Sequence, residues 1–249
     1  MRRVLHIFGL TLLALSLGAL FQPAFGQYPG GGGYPGGYPG GGMPGRGMGP
    51  SPSLGDDESA KPATTEKSTK VAMKFFNAGM KSLAKVREYE EESAKATTED
   101  KKGALRDKID DGYGRALDQF TEALRNDSTL ADAWNNVGYV HLKLGAFNEA
   151  IDDYNHVLAV KPDLLEAIEH RGEAFMAMDR LEDAQASYMD LYNHSRPLAD
   201  QLMASMEKWL ESHRTSPNGM RAADIDAFGK WVAEREGIAK QSASTASTP

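Results

Sequence analysis

Hydrophobic residues recur through the middle of the chain at the spacing of amphipathic helices. Trp134 and Tyr154 lie in two such stripes, and Gly145 lies between them, where a chain reversal needs a residue that tolerates a left-handed conformation. Pro162 follows the second stripe and ends it, because proline cannot continue a helix. The pattern predicts a helix–turn–helix unit over residues 131–164.

The same pattern returns further along the chain. Three small or aromatic positions recur 34 places later: Gly138 as Gly172, Ala150 as Ala184 and Tyr154 as Tyr188. This 34-residue unit resembles the tetratricopeptide repeat, a pair of helices joined by a turn. His141 stands where that family prefers tyrosine, and Asp179 replaces the turn glycine. We expect His141 to be buried and hydrogen-bonded rather than to bind a metal.

An earlier copy of the repeat is split by an insertion. Phe75, Ala78 and Gly79 match the first helix of the repeat, and Tyr113 matches the second. The inserted residues, 84–112, are charged, contain alanine and lack proline. We therefore predict that they lengthen both helices by about three turns each, with a chain reversal near 97–100. A disordered loop at the tip is the alternative, and the acidic run 88–92 is expected to be a solvated face.

Two further amphipathic segments follow the last repeat. Met206 and Trp209 share one apolar face, Phe228 and Trp231 share another, and residues 216–219 have the composition of a turn. A solenoid needs such terminal elements to cover its last hydrophobic face. The sequence therefore predicts an all-α fold, a tetratricopeptide-type α-solenoid of about three helical hairpins, the first with elongated helices, plus a C-terminal capping hairpin.

The N-terminus has the organisation of a secretory signal peptide. Arg2 and Arg3 precede an apolar run over residues 4–21, and small residues end at Gly26, where we expect cleavage. An uncleaved membrane anchor is the alternative. We expect an exported protein, periplasmic or extracellular, that contacts a membrane only if this leader is retained.

A tract rich in glycine, proline and tyrosine follows the leader. Three Tyr-Pro-Gly tripeptides begin at Tyr28, Tyr34 and Tyr38, and such a chain cannot bury enough apolar surface to offset its backbone entropy. We expect a disordered tether, with an adhesive tyrosine segment as the alternative. The predicted divisions are a signal peptide (1–26), a disordered linker (27–67), a divergent first repeat with its helical insertion (68–130), two clear repeats (131–164 and 165–198), capping helices (199–237) and a disordered tail (238–249).

Composition narrows the classes of function. The formal net charge of −7 comes without a basic stripe, which argues against a nucleic-acid binder. The absence of cysteine excludes disulfides, zinc–cysteine sites and cysteine nucleophiles. Neither a GxSxG nor an HExxH motif occurs, and the histidines are scattered. We therefore predict no enzymatic activity, no catalytic residue, no metal site and no cofactor.

The resemblance implies where a partner would bind. Tetratricopeptide arrays hold a peptide or protein along the concave face of their first helices, so we expect a non-enzymatic interaction or scaffolding module. The acidic residues on the last of these helices favour a partner with a basic segment. We call the predicted positions the groove residues: Met73, Phe76, Asn77, Met80, Asp132, Asn135, Asn136, Tyr139, Lys143, Glu166, Glu169, His170 and Glu173.

Two alternatives stay open. The first alternative is a structural or surface-attachment protein, in which the Tyr-Pro-Gly tract adheres or self-associates and the helices act as a spacer. The groove residues are also compatible with an ordinary solvated face, or with one covered by the protein's own capping helix.

Overall fold

The computed structural model describes residues 65–246, which form eight helices and no strand. They pack as three successive hairpins followed by a terminal pair, which confirms the predicted all-α solenoid. The predicted signal peptide, nearly all of the predicted linker and the last three residues lie outside the described part. In chain order the helices are α1 (Glu66–Lys95), α2 (Glu99–Asn126), α3 (Ala131–Lys143), α4 (Phe147–Val160), α5 (Leu165–Ala177), α6 (Leu181–His194), α7 (Arg196–Thr215) and α8 (Ala222–Ala246).

Helices α1 and α2 contain the insertion, with 30 and 28 residues. Thr65 and Ser68 cap the start of α1, because each side-chain oxygen accepts a hydrogen bond from the other residue's backbone N–H, at 3.1 and 3.0 Å. The chain reverses between Lys95 and Glu99, and this turn overlaps the predicted stretch 97–100. The inserted residues are helical on both sides of this turn, so the elongated hairpin is confirmed and the disordered loop is wrong.

The α3/α4 hairpin depends on close approach between its helices. A Cβ atom added at Gly138 would lie 2.9 Å from the ring of Tyr154, so only glycine leaves room for that ring. Tyr154 and Val157 are fully buried, and Trp134 is nearly so. Gly145 has a φ of 77°, the left-handed conformation that the turn between the helices needs.

The α5/α6 hairpin repeats this design with a different turn residue. Asp179 takes the left-handed conformation with a φ of 57°, at the place that glycine holds in the preceding repeat. Helix α7 then packs on α5, where Leu202 fills the space in front of Gly172. Trp209 of α7 meets Phe228 of α8 edge to face, with ring centroids 5.4 Å apart, and so joins the terminal pair.

Helix α8 differs from the prediction at its C-terminal end. It continues to Ala246, whereas we expected a disordered tail from residue 238. Ile225, Phe228 and Val232 are buried and anchor the first turns of this helix. The residues after Gly237 contain several alanines and no proline before the C-terminus, so nothing in the sequence breaks the helix once it is anchored.

Candidate functional site

The groove residues lie on α1, α3 and α5, the first helices of the three hairpins, and differ widely in exposure. Five are exposed to solvent: Met73, Asn77, Met80, Asp132 and Glu166. Six are half-buried: Phe76, Asn135, Asn136, Tyr139, Lys143 and His170. Glu169 and Glu173 are buried, with 6% and 7% of their surface accessible. The acidic side chains that we expected to meet a partner are therefore mostly covered in the free protein.

An inner cluster forms where α3 and α5 lie side by side. It consists of Tyr139 and Lys143 on α3 with Glu169, His170 and Glu173 on α5. The ring of Tyr139 lies 5.4 Å from that of His170, and the Lys143 Nζ lies 5.3 Å from the centre of the Tyr139 ring. The structure thus brings together five of the groove residues that the sequence predicted.

Two further residues reach the inner cluster from the elongated first hairpin. The hydroxyl of Tyr113 donates a hydrogen bond to Oε1 of Glu90 at 2.8 Å. The Tyr113 ring in turn meets that of Tyr139, with centroids 6.5 Å apart. Sequence reasoning assigned neither residue to the site. Tyr113 was placed only as a position in the second helix of the repeat, and Glu90 belongs to the acidic run 88–92, which we assigned to a solvated face. Its neighbours Glu88, Glu91 and Glu92 are indeed exposed, whereas Glu90 is half-buried.

The capping helix α7 also contributes to the inner cluster. The hydroxyl of Ser205 donates a hydrogen bond to Oε1 of Glu173 at 3.2 Å. Burial raises the pKa of the Glu173 carboxyl, and this hydrogen bond and the nearby Lys143 act against the shift. The C-terminal cap therefore covers part of the groove on α5, one of the alternatives left open by the sequence.

Burial makes the inner cluster less charged than its sequence suggests. It raises the pKa of Glu169 to about 8, and the neighbouring Glu173 adds to the shift. Burial also lowers the pKa of Lys143, although three carboxylates oppose this: Glu173, Glu90 and Glu169. Near neutral pH Glu169 holds its proton, so the floor of the groove is closer to neutral than a count of carboxylates predicts.

Three polar atoms, one each on α3, α4 and α5, are shielded from solvent and have no hydrogen-bond partner in the described protein. They are Oδ1 of Asn135, Oη of Tyr154 and Nδ1 of His170. Burial lowers the pKa of His170 to about 4, so its ring is neutral at neutral pH. A shielded polar atom without a partner costs free energy, so these atoms favour a ligand or a water that supplies the missing hydrogen bonds.

Three of the other groove residues make contacts outside the inner cluster. Asp132 accepts a hydrogen bond from Nζ of Lys161 at 3.1 Å, and the Asn136 side chain donates to the backbone oxygen of Asp132 at 2.7 Å. Phe76 packs on Phe120 of α2, with centroids 5.6 Å apart. Met73, Asn77 and Met80 are exposed on the first helix and take no part in the inner cluster.

His141 is buried and lies next to Asp153, with Nδ1 of the ring 2.6 Å from Oδ2. This confirms the expectation of a buried, hydrogen-bonded histidine. Within residues 65–246 no three side chains of His, Asp or Glu are grouped so that they could hold a metal ion. None of the helices described is both long enough and apolar enough to span a membrane.

Part of the chain is similar to known proteins. Residues 131–164 match the family model of the tetratricopeptide repeat. The curated "Protein SGT1 homolog" of Oryza sativa subsp. japonica is 25% identical over 79 residues, which are 32% of this chain and 22% of that relative. The chain thus matches about a fifth of the relative's length. The solved Arabidopsis OM64 TPR domain aligns with a TM-score of 0.43 and 15% identity, over 58% of this chain and 98% of that domain.

Proposed function

The chain carries a tetratricopeptide repeat at residues 131–164, and we propose that it is a non-enzymatic interaction module that binds a peptide or protein partner in the groove between α3 and α5. The observation that carries the proposal is the set of shielded, unpartnered atoms on Asn135, Tyr154 and His170. A bound peptide offers N–H donors and carbonyl acceptors at close spacing, and these could complement the three atoms once the side chains that shield them move aside. The half-buried ring of Tyr139 adds an amphipathic contact surface beside them.

A partner with a basic segment fits the charges of α5. Glu166 is exposed at the start of the helix, and Glu169 and Glu173 lie one and two turns further along the same face. A Lys or Arg side chain near Glu169 would favour its ionised form and lower its pKa from about 8. Binding of a basic segment would therefore release a proton, and it would strengthen as the pH rises from 6 to 8, because less work is then needed to ionise Glu169.

The binding proposal is tested with a peptide array probed by the full-length protein. The double variant Asn135→Ala with His170→Ala removes two of the unpartnered groups. We expect this double variant to lower the affinity for the captured peptides by at least about tenfold. The matched control, Asn148→Ala with His194→Ala, changes the same residue types at exposed positions outside the groove and should bind like the wild type. Equal binding by both double variants would overturn the proposal, provided that circular dichroism shows both to be folded.

We also propose that the protein is exported and acts in the periplasm or outside the cell. The support is the order of basic, apolar and small residues in the leader, which ends at Gly26. Mass spectrometry of the protein recovered from cell fractions tests this directly. We expect an N-terminus at Gln27 in the exported fraction, and an intact leader in a cytoplasmic protein would overturn the proposal.

A further inference from the structure

The face of α1 that points away from α2 carries a line of lysines without partners. Helix α1 packs on α2 through Gly79 and Val86. On the opposite side Lys67, Lys74 and Lys81 recur at seven-residue intervals, so they form a line with a spacing of about 10 Å. All three side chains are exposed, and none of them has a hydrogen bond or an ion pair in the part of the chain that the structure describes.

Two accessible methionines lie beside this lysine line. Met73 and Met80 are 38% and 42% exposed. Met73, Lys74 and Lys81 line a shallow depression of about 590 Å³, and no acidic side chain lines it. A solenoid needs an element that covers each terminal face, and α7 and α8 do this at the C-terminal end. Within residues 65–246 nothing covers this face of α1.

We propose that residues 54–60 of this chain fold back on α1 and cover the face with the lysine line. Asp56, Asp57 and Glu58 are the only acidic residues that precede α1 in the sequence. Three carboxylates complement three lysines that have no other partner, and this complementarity fixes where the segment lies. Leu54 adds an apolar side chain that can pack on the methionines, whose unbranched side chains adapt to such a contact.

The connection to α1 has the length that this contact needs. Six residues lie between Glu58 and Thr65, so these two residues can be up to about 23 Å apart. Lys74 follows Thr65 by nine residues, which is about 13 Å along the helix axis. Because the segment is joined to its site, it meets α1 at an effective concentration on the order of millimolar. An anionic lipid surface is a poorer occupant, since the net charge of −7 repels it.

The contact would close part of the concave face. Met73 and Met80 belong to the groove residues, so a partner that binds along α1 has to displace residues 54–60 first. The proposal does not depend on binding between α3 and α5, because the two surfaces share no residue. The contact rests on exposed charges, so it should be lost at about 1 M salt, where charges are screened within about 3 Å.

Peroxide footprinting of the full-length chain tests the proposal, because hydrogen peroxide oxidises an accessible methionine to its sulfoxide. The variant Lys74→Glu with Lys81→Glu should repel the acidic segment. At low ionic strength we expect Met73 and Met80 to be oxidised at least about threefold faster in this variant than in the wild type. Adding lysine at all three acidic positions of the segment reverses the charge on both sides and should restore the protection. This recovery excludes a local distortion of α1 as the cause.

The matched control is Lys95→Glu with Lys230→Glu, which changes the net charge by the same amount at exposed sites away from this face. Met73 and Met80 should be oxidised in it as in the wild type. The fully buried Met206 is the slow reference in every sample. Equal oxidation of Met73 and Met80 in the wild type and in the variant of the lysine line would overturn the proposal.

Carbodiimide crosslinking of a mixture of unlabelled and isotope-labelled chains identifies the occupant. We expect amide bonds between Lys74 or Lys81 and the acidic residues of the segment, with both residues in the same chain. The ion pair between Lys101 and Glu92, at 3.1 Å, is the internal positive control. Crosslinks that mostly join a labelled to an unlabelled chain would overturn the proposal, because a second copy would then cover the face.

Discussion

The indole Nε1 of Trp209 donates a hydrogen bond to Oδ1 of Asp179 at 3.0 Å. This contact ties the turn between α5 and α6 to the capping helix α7. His213 reinforces it, because its ring stacks on Trp209 at 3.8 Å and its Nε2 lies 3.4 Å from the same Asp179 oxygen. The departure from the turn glycine thus has a structural reason: the aspartate supplies an acceptor that glycine lacks.

Replacing Asp179 separates its two contributions. Asp179→Ala should lower the free energy of unfolding by about 2–3 kcal/mol, because alanine lacks the acceptor and is strained in the left-handed conformation. Asp179→Asn keeps an oxygen in the same place and tolerates that conformation, so it should cost less than about 1 kcal/mol. Urea denaturation followed by circular dichroism measures both. Equal losses for the two variants would show that the hydrogen bond does not account for the aspartate.

Two glycines in helices should respond to alanine in opposite ways. Gly103 lies inside α2 with nothing within 4 Å of an added Cβ, so Gly103→Ala should stabilise the protein by about 0.5–1 kcal/mol. At Gly138 the added Cβ would lie 2.9 Å from the Tyr154 ring, so Gly138→Ala should destabilise it by about 1–3 kcal/mol. Thermal unfolding compares the two. If Gly103→Ala had no stabilising effect, the inserted hairpin would not be helical at that position.

The buried pair His141 and Asp153 gives a third prediction. Asp153 is 2% exposed, and its Oδ2 lies 2.6 Å from Nδ1 of His141. His141→Leu therefore leaves the buried Asp153 carboxyl without the imidazole that it contacts. We expect a loss of about 3–5 kcal/mol in the free energy of unfolding. The double variant His141→Leu with Asp153→Leu removes both polar groups and should lose clearly less. A double variant with the summed loss of the two single changes would mean that the pair is not coupled.

Hydrophobic periodicity and the residues at the turns were enough to predict most of the helices. Gly138, Ala150 and Tyr154 recur at a fixed interval, and this interval locates each helix of two hairpins from the sequence alone. The lack of proline in the insertion indicated that both flanking helices continue through it. The length of α8 was underestimated, because a polar, alanine-containing segment after Gly237 carries no signal that distinguishes a helix from a coil.

Depth of burial in the groove was beyond sequence reasoning. Periodicity places Glu169 and Glu173 on the correct face of α5, but it says nothing of what lies in front of them. The covering groups come from distant parts of the chain: Lys143 from α3 and Ser205 from the capping helix. The carboxyls of Glu169 and Glu173, which sequence reasoning treats as exposed charges, are thus buried, and only the packing of the hairpins reveals this.

Protonation of Glu169 should make the stability of the fold depend on pH. The pKa of its carboxyl is about 8 in the folded protein, compared with 4.5 for an unperturbed glutamate. Between these two values the folded state holds a proton that the unfolded state has released. The free energy of unfolding contributed by this residue therefore falls as the pH rises from about 4.5 to about 8, and is constant outside that window.

The variant Glu169→Gln removes this titration and keeps the shape of the side chain. At pH 8 it should be more stable than the wild type by about 1–3 kcal/mol, because a neutral amide has no proton to lose. The difference should shrink towards pH 4.5, where the wild-type carboxyl is neutral in the folded state and half-neutral in the unfolded state. Part of the slope should remain in the variant, since burial raises the pKa of Glu173 as well.

Glu166→Gln is the matched control on the same helix, and because Glu166 is exposed it should leave the pH profile of urea denaturation unchanged. The same slope in the wild type and in Glu169→Gln would mean that Glu169 is ionised in the fold and that burial does not neutralise this carboxyl.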